Sequence, residues 1–210
     1  MKTVRVFLFG IMIMAAAAHA FAIGSEFNGK AGAARAHEPD KFGLDGSLQY
    51  MIVPDPYFAT GPEMGIAWFK WDRSIGSPNE LGLPGHVKAD TNAFFFPMMW
   101  NAQIRLYNLL ESIRIMPYLT GGIGYGCMWL HYSEPRVYPY TVYNGDSATR
   151  FYQGFVWQLL AGIAAKPGQD SNIRFFLEAG YRGARVKRGS TEIIMSGFLA
   201  QLGASFPIGN

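Results

Sequence analysis

Residues 113–132, IRIMPYLTGGIGYGCMWLHY, decide the fold. Ile115, Pro117, Leu119, Ile123, Tyr125, Cys127 and Trp129 fall on odd positions and are mostly large and apolar. Thr120, Gly122, Gly124 and Gly126 fall on even ones. A repeat of two belongs to a strand, since a helix would repeat near 3.6. One wide apolar face opposite a face reduced to glycine suits a small closed barrel, whose inward side chains share little room. A short turn over residues 108–112 is expected before this strand, and a long tyrosine-rich loop over 133–149 after it.

The same alternation spreads in both directions. Over residues 92–107 the outward set is Phe94, Phe96, Met98, Trp100, Ala102, Ile104 and Leu106, against inward Asn101, Gln103 and Arg105. Over 60–71 Met64, Ile66 and Trp68 oppose Glu63, Gly65 and Ala67, and over 42–53 Leu44, Leu48, Tyr50 and Ile52 oppose Asp45, Ser47 and Gln49. Residues 26–35 alternate weakly, with Phe27, Ala31 and Ala33 on one side and Asn28 and Lys30 on the other. Downstream, strands are expected over 150–165, over 172–186 (Arg174, Glu178, Gly180 and Arg182 inward) and over 190–206. The fold class is therefore all-β, an eight-stranded antiparallel up-and-down transmembrane barrel.

Composition agrees. Charged residues make up 16% of the chain, against about 25% in soluble domains, while aromatics reach 15% and there are 25 glycines. That is too little charge to coat a water-facing surface, and a soluble barrel of lipocalin type would need polar outer faces that these strands lack. Downstream of residue 22 no run of about 18 apolar residues offers a membrane helix, which leaves the closed barrel as the way to pair every backbone group in lipid. Lys2 and Arg5, the apolar run 6–18 and the sites Ala18-His19-Ala20 and Ala20-Phe21-Ala22 predict a cleaved signal peptide. The expected division is a signal peptide over 1–22 and a barrel over 23–210. Cys127 is the single cysteine, so no intrachain disulfide forms, and a net charge of +3 does not argue for nucleic acid.

Connection lengths set a direction. Loops starting at Ala36, Asp72, Ser133 and Lys187 alternate with turns at Pro54, Asn108 and Lys166, and two of the loops are far longer than any turn. Outer-membrane barrels have short periplasmic turns and longer external loops, so both termini are expected in the periplasm.

Pro117-Tyr118-Leu119-Thr120-Gly121-Gly122-Ile123-Gly124-Tyr125-Gly126, the 43–71 hairpin and the alternating final strand together resemble the OmpA-type, opacity and OmpW-like superfamily of eight-stranded outer-membrane barrels. The resemblance implies a bacterial outer-membrane location, with outer-membrane lipid and the outer-membrane assembly machinery as partners, and a monomer. The family usually ends on an aromatic residue, whereas here Pro207-Ile208-Gly209-Asn210 follows Phe206.

Three sets of residues are candidates for function. Eight strands leave a lumen that side chains roughly fill, and a carboxylate there needs partners. An ion-paired plug is thus expected among Glu63, Arg105 and Arg114, with Glu178 and Arg182 as further lumen charges; separately hydrated lumen residues are the alternative. At the outer rim Tyr132, Tyr138, Tyr140 and Tyr143 offer flat amphipathic contacts to a host or partner protein. Arg182, Arg185, Lys187 and Arg188 offer contacts to anionic lipid or glycans. The competing reading is an interfacial aromatic girdle and a solvated basic turn. Met116, Tyr118, Leu160 and Phe176 face inward by parity, so an OmpW-like passage for a small hydrophobic solute is the main rival to surface binding.

His131-Tyr132-Ser133 resembles the His-x-Ser of lipid A deacylases, but Glu134 and Pro135 stand where that family places asparagine after the serine. An enzyme is not expected. No metal or nucleotide motif is present, and no cofactor is expected.

Overall fold

A computed structural model of the 210-residue chain describes residues 24–37, 40–75, 87–133, 147–168 and 171–208. The expected signal peptide lies outside them. The elements run β1 (Gly24–Ala36), β2 (Lys41–Asp55), β3 (Phe58–Ile75), β4 (Val87–Arg105), α1 (Tyr107–Ile113), β5 (Ile115–Ser133), β6 (Ser147–Ala165), β7 (Arg174–Arg188), β8 (Thr191–Ile194) and β9 (Gly197–Ile208). Every neighbour pairs antiparallel, in the order β6-β5-β4-β3-β2-β1-β9-β7-β8, and a β6–β7 ladder closes the barrel. β8 and β9 together form the eighth stave.

The ladders fix the barrel's geometry. From Ser25 the cross-strand partners lead through Ile52, Thr60, Ala102, Gly121, Leu159, Tyr181 and Phe198 back to β1 at Arg35, ten residues beyond the start. With strands about 4.8 Å apart and rising about 3.3 Å per residue, that stagger tilts them by about 40° and gives a backbone radius of about 8 Å. Ten residues so tilted rise about 25 Å, the height of a membrane barrel's apolar band.

Alternation decides what faces where. Along β5 Ile115, Leu119, Ile123 and Trp129 are exposed, whereas Met116, Tyr118, Thr120 and Met128 are buried in the lumen. The glycines between them are a matter of space: a methyl on Gly126 would sit 2.5 Å from the Phe95 ring. The lumen is so full that the organising strand contributes backbone instead of side chains at that level. β1 pairs along its length with both β2 and β9, so its small residues blur the sequence pattern without weakening the ladder. On β2 the alternation lapses at Ile52, which is buried although its parity is outward, beside the register shift between Ile52 and Asp55.

Three expected elements differ. The turn over 108–112 is a helix, α1, because Leu110 folds back over the lumen and packs with Met116, Tyr118, Ala164 and Phe176. It ends at Arg114, whose left-handed backbone (φ 62°) lets its N–H reach the Leu110 carbonyl. The loop over 72–91 is shorter than expected, since β3 and β4 pair out to Ile75 and Val87. The final strand is broken at Met195 and Ser196. There the Ser196 hydroxyl accepts from the Ala184 N–H at 2.9 Å and donates to the Ala184 carbonyl, replacing ladder bonds, while Met195 turns into the lumen.

Candidate functional site

Two kinds of filling divide the lumen. On the loop side, inward residues of every stave but β2 meet in one apolar cluster that includes Phe69, Phe95, Met99, Met128, Leu130, Val156, Leu160 and Leu199. Towards the turns, beside the smaller cluster of Leu110, Met116, Tyr118, Ala164 and Phe176, the inward positions carry charge. Lys30 of β1 donates to Glu63 of β3 at 3.1 Å and to Glu178 of β7 at 2.8 Å, with all three side chains essentially without solvent contact. Asn101 donates to Glu63 at 2.7 Å, Gln49 and Gln158 add longer bonds, and the Tyr118 hydroxyl donates to the second oxygen of Glu178. Arg182 donates to Asp45 at 2.7 Å, whose other oxygen accepts from Gln201.

A second tier lies nearer the turns. Arg105 grips Glu26 with both terminal nitrogens, at 2.9 and 2.8 Å, and its Nε donates to Gln103. Arg174 pairs with the same carboxylate. Such pairs hold the barrel only as complete sets: desolvation consumes much of the Coulombic gain, and removing one partner leaves a charge stranded in low dielectric.

Of the residues singled out from sequence, Glu63, Arg105, Glu178 and Arg182 therefore lie inside, but in separate sets. Glu63 and Glu178 share Lys30, Arg105 belongs with Glu26, and Arg182 belongs with Asp45. Arg114 is exposed at the end of α1, outside the lumen, because the left-handed turn there takes it off the strand. Lys30, Glu26, Asp45 and Arg174 complete the sets. Inward parity of Asp45 and Arg174 was readable, whereas Lys30 and Glu26 sit on the strand whose pattern small residues obscure.

Arg182, counted among the rim cations from sequence, is thus a lumen residue. Arg185 and Lys187 are exposed on the outer face of β7, and Arg188 is exposed beside the turn where Gly189 adopts φ 58°. Lys187 lies 2.8 Å from Glu192 and its hydrogen bond holds that carboxyl below the usual range. Arg35, Lys41 and Lys70 are exposed at the same end on β1, β2 and β3. Tyr138, Tyr140 and Tyr143 lie outside the described residues. His131 faces outward and its Nδ1 is 3.1 Å from the Thr149 hydroxyl.

No protein-family model matches this sequence, and no curated protein matches it. Its fold matches solved structures. Neisserial surface protein A aligns with a TM-score of 0.51 at 11% identity, over 87% of this chain and 94% of that one. A major outer membrane protein from Thermus thermophilus aligns at 0.50 and 12%, over 88% and 99%. Ail, the attachment invasion locus protein of Yersinia pestis, solved with the heparin analogue sucrose octasulfate, aligns at 0.49 and 13%, over 88% and 97%. This chain has the fold of the eight-stranded outer-membrane barrels.

Proposed function

We propose that this protein is a bacterial outer-membrane barrel, exported through a signal peptide over residues 1–22 and inserted as one unit with its loop end outward. Its lumen does not conduct, and it works through the loop-end rim by contact with a host or partner molecule. The observation that carries this reading is the packed lumen: an apolar cluster above and two tiers of ion pairs below are buried side chains with almost no solvent contact. Outward apolar residues on every stave, Leu48, Met64, Ile123, Leu177 and Leu202 among them, support residence in lipid. The exposed cations Arg35, Lys41, Lys70, Arg185 and Lys187 support a rim that meets anionic head groups or glycans.

Planar-bilayer recording of the folded barrel tests closure, with silence the expected result. Deleting residues 138–143 tests the rim: binding to host cells or partner protein is expected to fall while the barrel still folds, and undiminished binding would remove the loops from the reading.

The apolar loop-side lumen favours one rival, passage of a small hydrophobic solute. Such a solute would meet the Lys30 belt and have to leave sideways between strands. Discrete openings blocked by an apolar solute would put that rival first.

A further inference from the structure

The lumen's turn-side mouth is not filled. It holds a half-open cavity of about 510 Å³, lined by Tyr107 and Leu110 of α1 and by Glu26, Arg105, Arg174 and Lys166. That volume is large enough to seat a small molecule. Among the described lining residues Glu26 is the single acid, set against three cations.

The two arginines are not equivalent. Arg105 has every nitrogen engaged, Nε on Gln103 and both terminal nitrogens on Glu26. Arg174 uses one terminal nitrogen for both Glu26 and Ser205. Among the described residues no acceptor takes its Nε or its other terminal nitrogen. Arg174 is nonetheless only 5% exposed. A buried guanidinium held through Nη2 by a carboxylate and a hydroxyl, with its Nε and Nη1 donors free at the wall of a net-positive cavity, can donate singly to an oxyanion.

We propose that this mouth binds a small soluble oxyanion, a carboxylate or phosphate, on a free donor of Arg174, with Lys166 as second cation at the rim. The ligand comes from solution and not from a lipid head group, because Glu26, Arg105 and Arg174 all point to the barrel axis and none faces the bilayer. The site lies at the opposite end from the rim reading and does not depend on it.

The test is titration of the barrel, folded in uncharged detergent micelles, with inorganic phosphate and with citrate, read on the arginine Nε–Hε resonances. A saturable shift of the Arg174 signal is expected, with chloride at equal ionic strength producing none. Arg174→Gln is expected to weaken binding by about tenfold or more, the loss of a charge-assisted hydrogen bond, and Lys166→Ala by a smaller factor. Heat-modified electrophoretic mobility verifies that each variant is folded, and should Arg174→Gln not fold, the wild-type titration and Lys166→Ala decide. An Arg174 shift that never saturates or that chloride reproduces, or an Arg105 Nε–Hε shift that survives Arg174→Gln unchanged, would overturn the site.

Discussion

The loop-side and turn-side halves of this lumen are both built from inward positions of the barrel strands, yet they are filled by contrasting chemistry. Above, Phe95, Met128 and Leu160 pack without a polar atom among their side chains. Below, Lys30, Glu63 and Glu178 pack as tightly but only because each charge has its counterpart. The apolar half is stabilised contact by contact, so it loses stability in proportion to the volume removed. The ionic half is stabilised as a set. A change there costs according to what is left behind and not to what is taken away.

The largest effect should come from Lys30→Met, which leaves two buried carboxylates facing each other. A loss of about 4 kcal/mol is expected in denaturant unfolding followed by tryptophan fluorescence. Adding Glu178→Gln should return part of it, because the stranded charge is gone; a double variant as unstable as the sum of its single changes would erase the contrast between the halves. Leu160→Ala should cost about 3 kcal/mol through the cavity it opens, with no charge substitution in the belt restoring it.

The smallest effect lies at the loop end, on the exposed β7–β8 hairpin. The Lys187 hydrogen bond lowers the Glu192 carboxyl, so the folded hairpin favours the ionised form. Its contribution is present above the ordinary carboxylate range and is lost as pH falls through the lowered value. A carbon-detected titration of Glu192 should give a midpoint below that of free glutamate, and Lys187→Ala should raise it. An unchanged midpoint would mean that the exposed pair is screened away, as surface pairs often are.

Much of this arrangement is legible without coordinates, and the places where it is not share a cause. Inward parity of Glu63, Arg105, Glu178 and Arg182 follows from alternation within each strand, a local property. Their pairing does not. Glu63 and Arg105 both lie near a turn, but the β3–β4 register sets Glu63 opposite Met99, six residues from Arg105, so Glu63 meets Lys30 while Arg105 meets Glu26. Arg114 misled for a different reason: a seven-residue helix replaced the expected turn because Leu110 had a lumen to cover. The break at Ser196 was invisible because a serine on a strand edge gives no sign that its hydroxyl will stand in for a backbone partner.

The sequence by itself determined that the strands alternate, that their apolar faces turn outward, and that eight of them can close, because a side-chain period of two and a shortage of charge are properties of neighbouring residues and of composition. Only the tertiary structure decided which charges meet. Lys30 and Glu178 are 148 residues apart and lie two strands from one another only because β9 joins β1 to β7. Closure and stagger are properties of the whole ring, and no strand read alone contains them.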